Sequence, residues 1–379
     1  MTESYLAGAI AQSIERSRAL SAVIDQPYSN AYDGLRTICS ERLRGVVSTL
    51  RELQDETIVD EALQTPLRLR RYRRATDRLN EIETIGATAL ANVGQGSSDL
   101  TRIVRRVCDE LKYPLVPPTV ANMSSSYLSI YSGFNLMLAP LLEGRFLLHL
   151  PDLYHELAHP FLDGENEDRT VLDPYRNAFL ECLKAIKRHF EGQRHLALRE
   201  REPDEVTVYL HLWEWLWLNY WLEELFCDAF AALTCGPAFG WAHYHLTAKV
   251  SGDIFDTPIG RRRTHPADDA RLRLILIGMQ RRGFTNQAAD ISVRWEVLVD
   301  ALKAHRPPEY FRCYPDDLLN LIVVQVQQGI EEMGVTLATP GALTSWPERL
   351  EEAWSVFWEN PNGYTTWEKN ALKLSMAVA

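Results

Sequence analysis

Apolar residues recur at helical spacing over most of this chain. Prolines, glycines and short polar runs interrupt the pattern, for example at Pro27, at Pro307-Pro308 and at Pro340-Gly341. The pattern therefore predicts a mainly helical protein. The predicted helices cover residues 5–24, 32–53, 67–90, 99–112, 177–195, 206–233, 271–281, 288–303, 316–333, 346–358 and 366–376.

One region between the helices has a different pattern. Residues 126–131 and 134–140 alternate in polarity or are rich in β-favouring side chains, and Ser132-Gly133 between them is typical of a turn. This pattern predicts a β-hairpin. The expected fold class is therefore α+β, mainly helical, with a small β-sheet.

The strongest chemical signal in the chain is the run from His155 to His159, which has the form His-Glu-x-x-His. Residues four apart lie on the same face of an α-helix, so both imidazoles can reach one metal ion. Glu156 lies beside them, where it can take a proton from an attacking water molecule. The alternative is an ordinary helix with two histidines on one face. Pro160 follows the motif directly, and we predict that the helix bends or stops there because proline has no amide hydrogen.

A catalytic zinc ion usually has three protein ligands, so a third ligand has to come from elsewhere in the chain. The apolar segment 206–233 contains Glu224 and Asp228, which are four residues apart and share a helical face. Buried carboxylates are normally paired or bound to a metal, so we predict that Glu224 is the third ligand. Asp228 is predicted to accept a hydrogen bond from the far nitrogen of a ligand histidine. In the alternative, both carboxylates lie on a solvated stripe of the helix.

Two neighbours of these carboxylates are given other roles. Glu223 points about 100° away from Glu224 around the helix and is the weaker candidate for a ligand. Cys227 is interpreted as a small core residue.

A third element follows about forty residues later, where Thr264 to Arg271 has the form Thr-His-Pro-x-x-x-x-Arg. Together the three motifs resemble the gluzincin class of zinc metallopeptidases, and within it the HtpX-like and CaaX-prenyl-protease family. The resemblance implies Zn²⁺ as the cofactor and places His265 and Arg271 beside it. His265 would stabilise the developing oxyanion, and Arg271 would orient site carboxylates or bind substrate. Alternatively, His265-Pro266 is a helix N-terminus with Thr264 as its cap.

The helical pattern and the resemblance, which covers about residues 125–280, together predict an organisation for the whole chain. They predict a helical N-terminal region (1–95), a zincin-like metallopeptidase domain (96–284) and a helical C-terminal region (285–379). The predicted hairpin would supply an edge strand that binds an extended substrate.

Composition indicates which partners and which cellular location to expect for the protein. The 379 residues carry a net charge of −11, which argues against general affinity for nucleic acid or anionic membranes. No apolar run is long enough to span a membrane, and no secretory signal is visible. The six cysteines form no Cys-x-x-Cys pair and are interpreted as reduced thiols. We therefore expect a cytoplasmic protein with a protein or peptide substrate.

The function predicted from these patterns is that of a zinc metalloendopeptidase. His155, His159 and Glu224 would hold the metal, while Glu156, His265 and Arg271 would act in catalysis. Two other interpretations stay open. One is a catalytically silent zincin scaffold that serves as a regulatory or partner-binding protein. The other is an all-helical interaction protein in which the motifs are coincidental.

Overall fold

The computed structural model describes residues 2–58, 61–124, 127–164, 169–249, 252–341 and 345–377. It is 75% helix and 3% strand with one small sheet, which confirms the predicted α+β, mainly helical class. The chain forms two compact units, one of residues 1–105 and 117–142 and the other of residues 106–116 and 143–379. The boundaries predicted at 95/96 and 284/285 stay a prediction.

The first unit is a packed group of helices with a sheet attached. Helices α1 (Thr2–Ile24), α2 (Asp33–Asp55) and α3 (Glu61–Glu81) pack against one another through apolar faces, because residues three and four apart on each helix meet its neighbours. On α2, for example, Leu35, Cys39, Leu43 and Leu50 are all buried. The helices of this unit are α1 (Thr2–Ile24), α2 (Asp33–Asp55), α3 (Glu61–Glu81), a π-helical segment (Ile82–Ala87), α4 (Thr88–Ala91) and the start of α5 (Gln95–Leu111).

The sheet of the first unit has three short strands in the order β1-β3-β2. They are β1 (Thr119–Ala121), β2 (Ser129–Tyr131) and β3 (Leu136–Leu138). Strands β2 and β3 are antiparallel around a turn at Ser132–Phe134, so the predicted hairpin is confirmed from residue 129 onward. Residue 126, where the hairpin was predicted to begin, lies outside the described residues. The sequence did not predict β1, which pairs parallel to β3.

The second unit is built around one buried helix, α10 (Leu222–Cys235), in which every residue from 225 to 235 is buried. It packs against α6, α12 and α15, and it continues a π-helical segment, Leu212–Trp221. The other helices are α6 (Asp152–Glu156), α7 (His159–Leu162), α8 (Asp173–Glu200), α9 (Pro203–His211), α11 (Pro237–Lys249), α12 (Asp268–Arg281), α13 (Thr285–Leu302), α14 (Tyr310–Cys313), α15 (Asp316–Glu332), α16 (Trp346–Glu359) and α17 (Pro361–Ala377).

Within the described ranges, no helix has both the length and the apolar character needed to cross a bilayer.

Candidate metal centre

The His-Glu-x-x-His motif lies on two short helices rather than on one long helix. Helix α6 ends at Glu156, a turn covers residues 157 and 158, and α7 begins at His159. Pro160 occupies the first turn of α7, so the predicted interruption is present. The interruption leaves the two imidazoles together, with ring centroids 5.1 Å apart and ring planes at 74°.

Helix α10 brings Asp228 and Glu224 to the first histidine. His155 donates a hydrogen bond from Nδ1 to Asp228 Oδ1 at 2.9 Å, the contact predicted for Asp228. Because a carboxylate accepts this bond, Nδ1 keeps its proton, and Nε2 is the nitrogen that can bind a metal once it is deprotonated. Glu224 Oε2 lies 3.5 Å from that Nε2. Asp228 is fully buried and the Glu224 side chain is only 16% exposed, so a solvated stripe is excluded.

Arg271 reaches the same carboxylate from helix α12. Its Nε and one terminal nitrogen donate to the two oxygens of Asp228, each at 2.7 Å, in a bidentate pair. Of the two roles expected for Arg271, this contact corresponds to orienting a site carboxylate. The guanidinium holds Asp228, and Asp228 in turn holds the ring of His155.

Glu223 was expected to point away from the site, but it contacts the second histidine. His159 donates from Nδ1 to Glu223 Oε1 at 3.1 Å, so His159 is held in the same way as His155. The sequence offered one indication of this contact, because it contains two adjacent carboxylates and two histidines. In the structure, Glu223 faces His159 and Glu224 faces His155.

Cys227 is a buried core residue, as predicted, and it also lies beside the two histidines. Its Sγ and a ring nitrogen of each of His155 and His159 are all within 4.8 Å of one another. Within the described ranges, this is the one group of side chains whose spacing suits a metal ion, and the predicted ligand Glu224 is not part of it. Sequence reasoning missed the proximity, although Cys227 is four residues after Glu223 and therefore on the same helical face.

His265 lies beside Glu224 at the edge of the site. Its Nε2 is 3.5 Å from Glu224 Oε2, and its side chain is 56% exposed. Thr264 Oγ1 lies 3.0 Å from the other ring nitrogen of His265. Helix α12 begins at Asp268 with Ala267 as its N-cap, so Thr264 is not the cap that the alternative interpretation required.

The pKa values of the side chains in this site are shifted by burial and by their charged neighbours. Burial acts to lower the pKa of His155, but the carboxylates of Asp228 and Glu224 outweigh it and raise that pKa to about 10. Burial acts to raise the pKa of Glu224, but the neighbouring His155, Arg271 and His265 bring it down to about 2. Both carboxyl groups nearest His155 are therefore ionised at neutral pH.

Burial and the nearby carboxylates also shift the pKa of the Cys227 thiol. Burial, together with the nearby carboxylates of Glu224, Glu223, Glu156 and Asp228, raises its pKa well above the ordinary value. In the absence of a cation, the thiol therefore remains protonated at neutral pH.

The donor types at this site suit a metal ion such as zinc. Among the described residues, the buried Glu224 Oε2 accepts no hydrogen bond of good geometry, and its nearest nitrogens are Nε2 of His155 and Nε2 of His265, each at 3.5 Å. Imidazole nitrogen, carboxylate oxygen and thiolate sulfur are the donors that zinc takes in proteins. Tetrahedral zinc places oxygen and nitrogen donors about 3.4 Å apart, close to the 3.5 Å between Glu224 and His155.

No family model, curated protein or solved structure matches this chain. The resemblance to a metallopeptidase family therefore stays a prediction from the three motifs.

Proposed function

We propose that the protein is a zinc-dependent metallopeptidase of the gluzincin class, similar to the HtpX-like and CaaX-prenyl-protease family. The observation that carries the proposal is the convergence of three separate motifs on one buried site. His155 and Asp228 are joined at 2.9 Å, Asp228 and Arg271 at 2.7 Å, and Glu224 lies 3.5 Å from both His155 and His265. Motifs that matched by coincidence would not be expected to lie close together in the folded chain.

In this proposal, His155, His159 and Glu224 hold the metal. When bound there, zinc supplies Lewis-acid chemistry, since it lowers the pKa of a water molecule to about 7 and polarises a carbonyl group. Asp228 and Glu223 keep the proton on Nδ1 of their histidines, so that both rings present Nε2. Arg271 fixes Asp228 and acts through it as a positioning residue.

The remaining residues act on the substrate. Glu156 is half-buried and is the general base that takes a proton from the attacking water. His265 donates from Nε2 to the oxyanion that develops on the scissile carbonyl, and the partial exposure of its side chain leaves room for that contact. Binding of an extended peptide by the β2-β3 hairpin stays a prediction. The hairpin belongs to the first unit, whereas the histidines belong to the second.

The proposal places the enzyme in the cytoplasm. All six cysteines are in described parts of the chain and carry free, buried thiols, as expected for a reducing compartment. Cell fractionation tests this placement, and recovery of the protein outside the cytoplasmic fraction would contradict it.

The direct test compares Glu156→Gln and Glu224→Ala with the wild-type protein. Native mass spectrometry should find about one zinc per chain in the wild type and in Glu156→Gln, and much less in Glu224→Ala, because Glu224 is a ligand and Glu156 is not. Cleavage of an unfolded protein substrate should be lost in both variants. Glu181→Gln, a change at an exposed carboxylate on α8, is the matched control and should leave both quantities unchanged.

Two results would refute the proposal. A wild-type protein that binds no zinc would make His155 and His159 ordinary core residues. Cleavage at the wild-type rate by Glu156→Gln would show that the mechanism is wrong.

A further inference from the structure

Helix α10 presents more donors to the two histidines than a three-ligand site requires. Glu223 and Cys227 form one pair spaced four residues apart, and Glu224 and Asp228 form a second pair beside it. Glu223 and Asp228 are occupied as hydrogen-bond acceptors for the two Nδ1 atoms. That leaves Glu224 and Cys227 as the two side chains of α10 that can bind a metal directly.

Of these two side chains, Cys227 is the one that lies close to both histidines. Its sulfur lies within 4.8 Å of a ring nitrogen of His155 and of His159, and the three atoms are mutually close. In a tetrahedral zinc site with Zn–N of about 2.0–2.1 Å and Zn–S of about 2.3 Å, nitrogen and sulfur donors are about 3.6 Å apart. The nitrogen–sulfur pairs therefore need to close by at most about 1.2 Å, and the two nitrogens, about 3.3 Å apart in such a site, by at most about 1.5 Å, to share one ion.

The chemistry of zinc also favours a sulfur donor. Burial and the carboxylates around Cys227 keep the free thiol protonated, and a bound cation displaces that proton. Thiolate is a strong zinc ligand, and one cysteine with two imidazoles is a donor set that selects zinc over magnesium or calcium. Cys227 is fully buried, so a thiolate there would be shielded from water and from exchange with external thiols.

We propose that Cys227 is a thiolate ligand of the metal held by His155 and His159, an inference that rests on the proposed metal centre. Glu224 does not belong to the group of mutually close donor atoms, so Cys227 is the third donor that the structure places beside both histidines. Binding of a metal there would release the thiol proton to solvent.

Cobalt substitution tests the inference without an activity measurement. Metal-free full-length protein is given one equivalent of Co²⁺, which occupies tetrahedral zinc sites and reports its ligands by absorption. A thiolate ligand gives an intense sulfur-to-cobalt charge-transfer band in the near ultraviolet, and nitrogen and oxygen donors do not. We expect this band in the wild type, its loss in Cys227→Ala and its retention in Cys235→Ala, a buried cysteine at the end of the same helix.

X-ray absorption on the wild-type zinc protein gives a second measurement that needs no variant. We expect one sulfur at about 2.3 Å in addition to the nitrogen and oxygen donors. Should Cys227→Ala fail to fold, this measurement decides the question, because Cys227 is the cysteine in the metal-capable group.

The outcomes separate this inference from the function on which it rests. If cobalt binds and gives visible ligand-field bands without the charge-transfer band, Cys227 is not a ligand, and the metal centre itself stands. A charge-transfer band that persists in Cys227→Ala also overturns the inference. If no metal binds to the wild type, the inference and the proposed function fail together.

Discussion

Replacing Asp228 with alanine removes a carboxylate that holds two other groups of the candidate site. The Arg271 guanidinium donates to both oxygens of Asp228 at 2.7 Å, and His155 Nδ1 donates to one of them at 2.9 Å. The Asp228 side chain is fully buried and that of Arg271 is 12% exposed, so little water can replace the lost contacts. The substitution therefore leaves a buried cation without its partner.

The expected loss follows from the burial of the pair. Breaking a buried ion pair by removing one partner costs about 3–5 kcal/mol, because the remaining charge stays desolvated. Replacing both partners with apolar residues is much less costly, because the desolvation penalty disappears together with the attraction. We therefore expect Asp228→Ala to lower the free energy of unfolding by about 3–5 kcal/mol. The double variant with Arg271→Met should recover at least half of that loss.

The assay is urea unfolding of metal-free protein, followed by tryptophan fluorescence. All ten tryptophans lie between residues 213 and 367, so the signal reports on the second unit, which contains the site. Asp290→Ala is the control, since Asp290 is 51% exposed and pairs with Arg294 on the surface of α13. Exposed pairs contribute about 0–1 kcal/mol, so this control should change little.

Two results would refute the reasoning. One is a loss in Asp228→Ala no larger than that in Asp290→Ala. The other is a double variant at least as unstable as Asp228→Ala, which would mean that the stranded guanidinium is not the source of the cost.

Two further predictions use the same unfolding assay. Gly329→Ala should destabilise the protein by about 1–3 kcal/mol, because a Cβ there would lie 3.0 Å from Tyr175 Cα and 3.2 Å from Pro174 O, which are backbone atoms. Gly192→Ala should instead stabilise the protein by about 0.5–1 kcal/mol, because this glycine is helical and a Cβ there would meet no described atom within 4 Å. If both variants changed the free energy of unfolding in the same direction, this description of the packing would be contradicted. For metal-free protein, His155 has a folded pKa of about 10 against an ordinary 6.5, so its stabilising contribution is complete below pH 6.5 and is lost as the pH rises toward 10. Stability should therefore fall from pH 7 to pH 9 by up to about 1.4 kcal/mol per pH unit, and a rise over this range would contradict the raised pKa.

Local chemistry accounts for what could be predicted of the site. The interruption at Pro160 follows from a missing amide hydrogen, and the sharing of a face by Glu224 and Asp228 follows from helical periodicity. The contact between Asp228 and His155 was predictable because a buried carboxylate needs a partner and a ligand histidine needs an acceptor.

Other features depended on which helices pack together. A helical wheel for α10 places Glu223 and Glu224 on different faces. It cannot show that His155 on α6 would contact Glu224 while His159 on α7 contacts Glu223. The proximity of Cys227 to those histidines could not be predicted for the same reason, since a buried cysteine on an apolar helix has no distinguishing pattern. The parallel pairing of β1 with β3 joins three-residue strands separated along the chain, and such short strands carry little periodicity.

The sequence alone thus determined the helical class, the hairpin and the residue types that can bind a metal. These properties depend on intervals of a few residues, over which backbone geometry is regular. Only the tertiary structure decided the partners of each side chain and the division into two units. Those depend on packing between residues far apart in the chain, such as His155 with Asp228 and Asp228 with Arg271, which local periodicity does not specify.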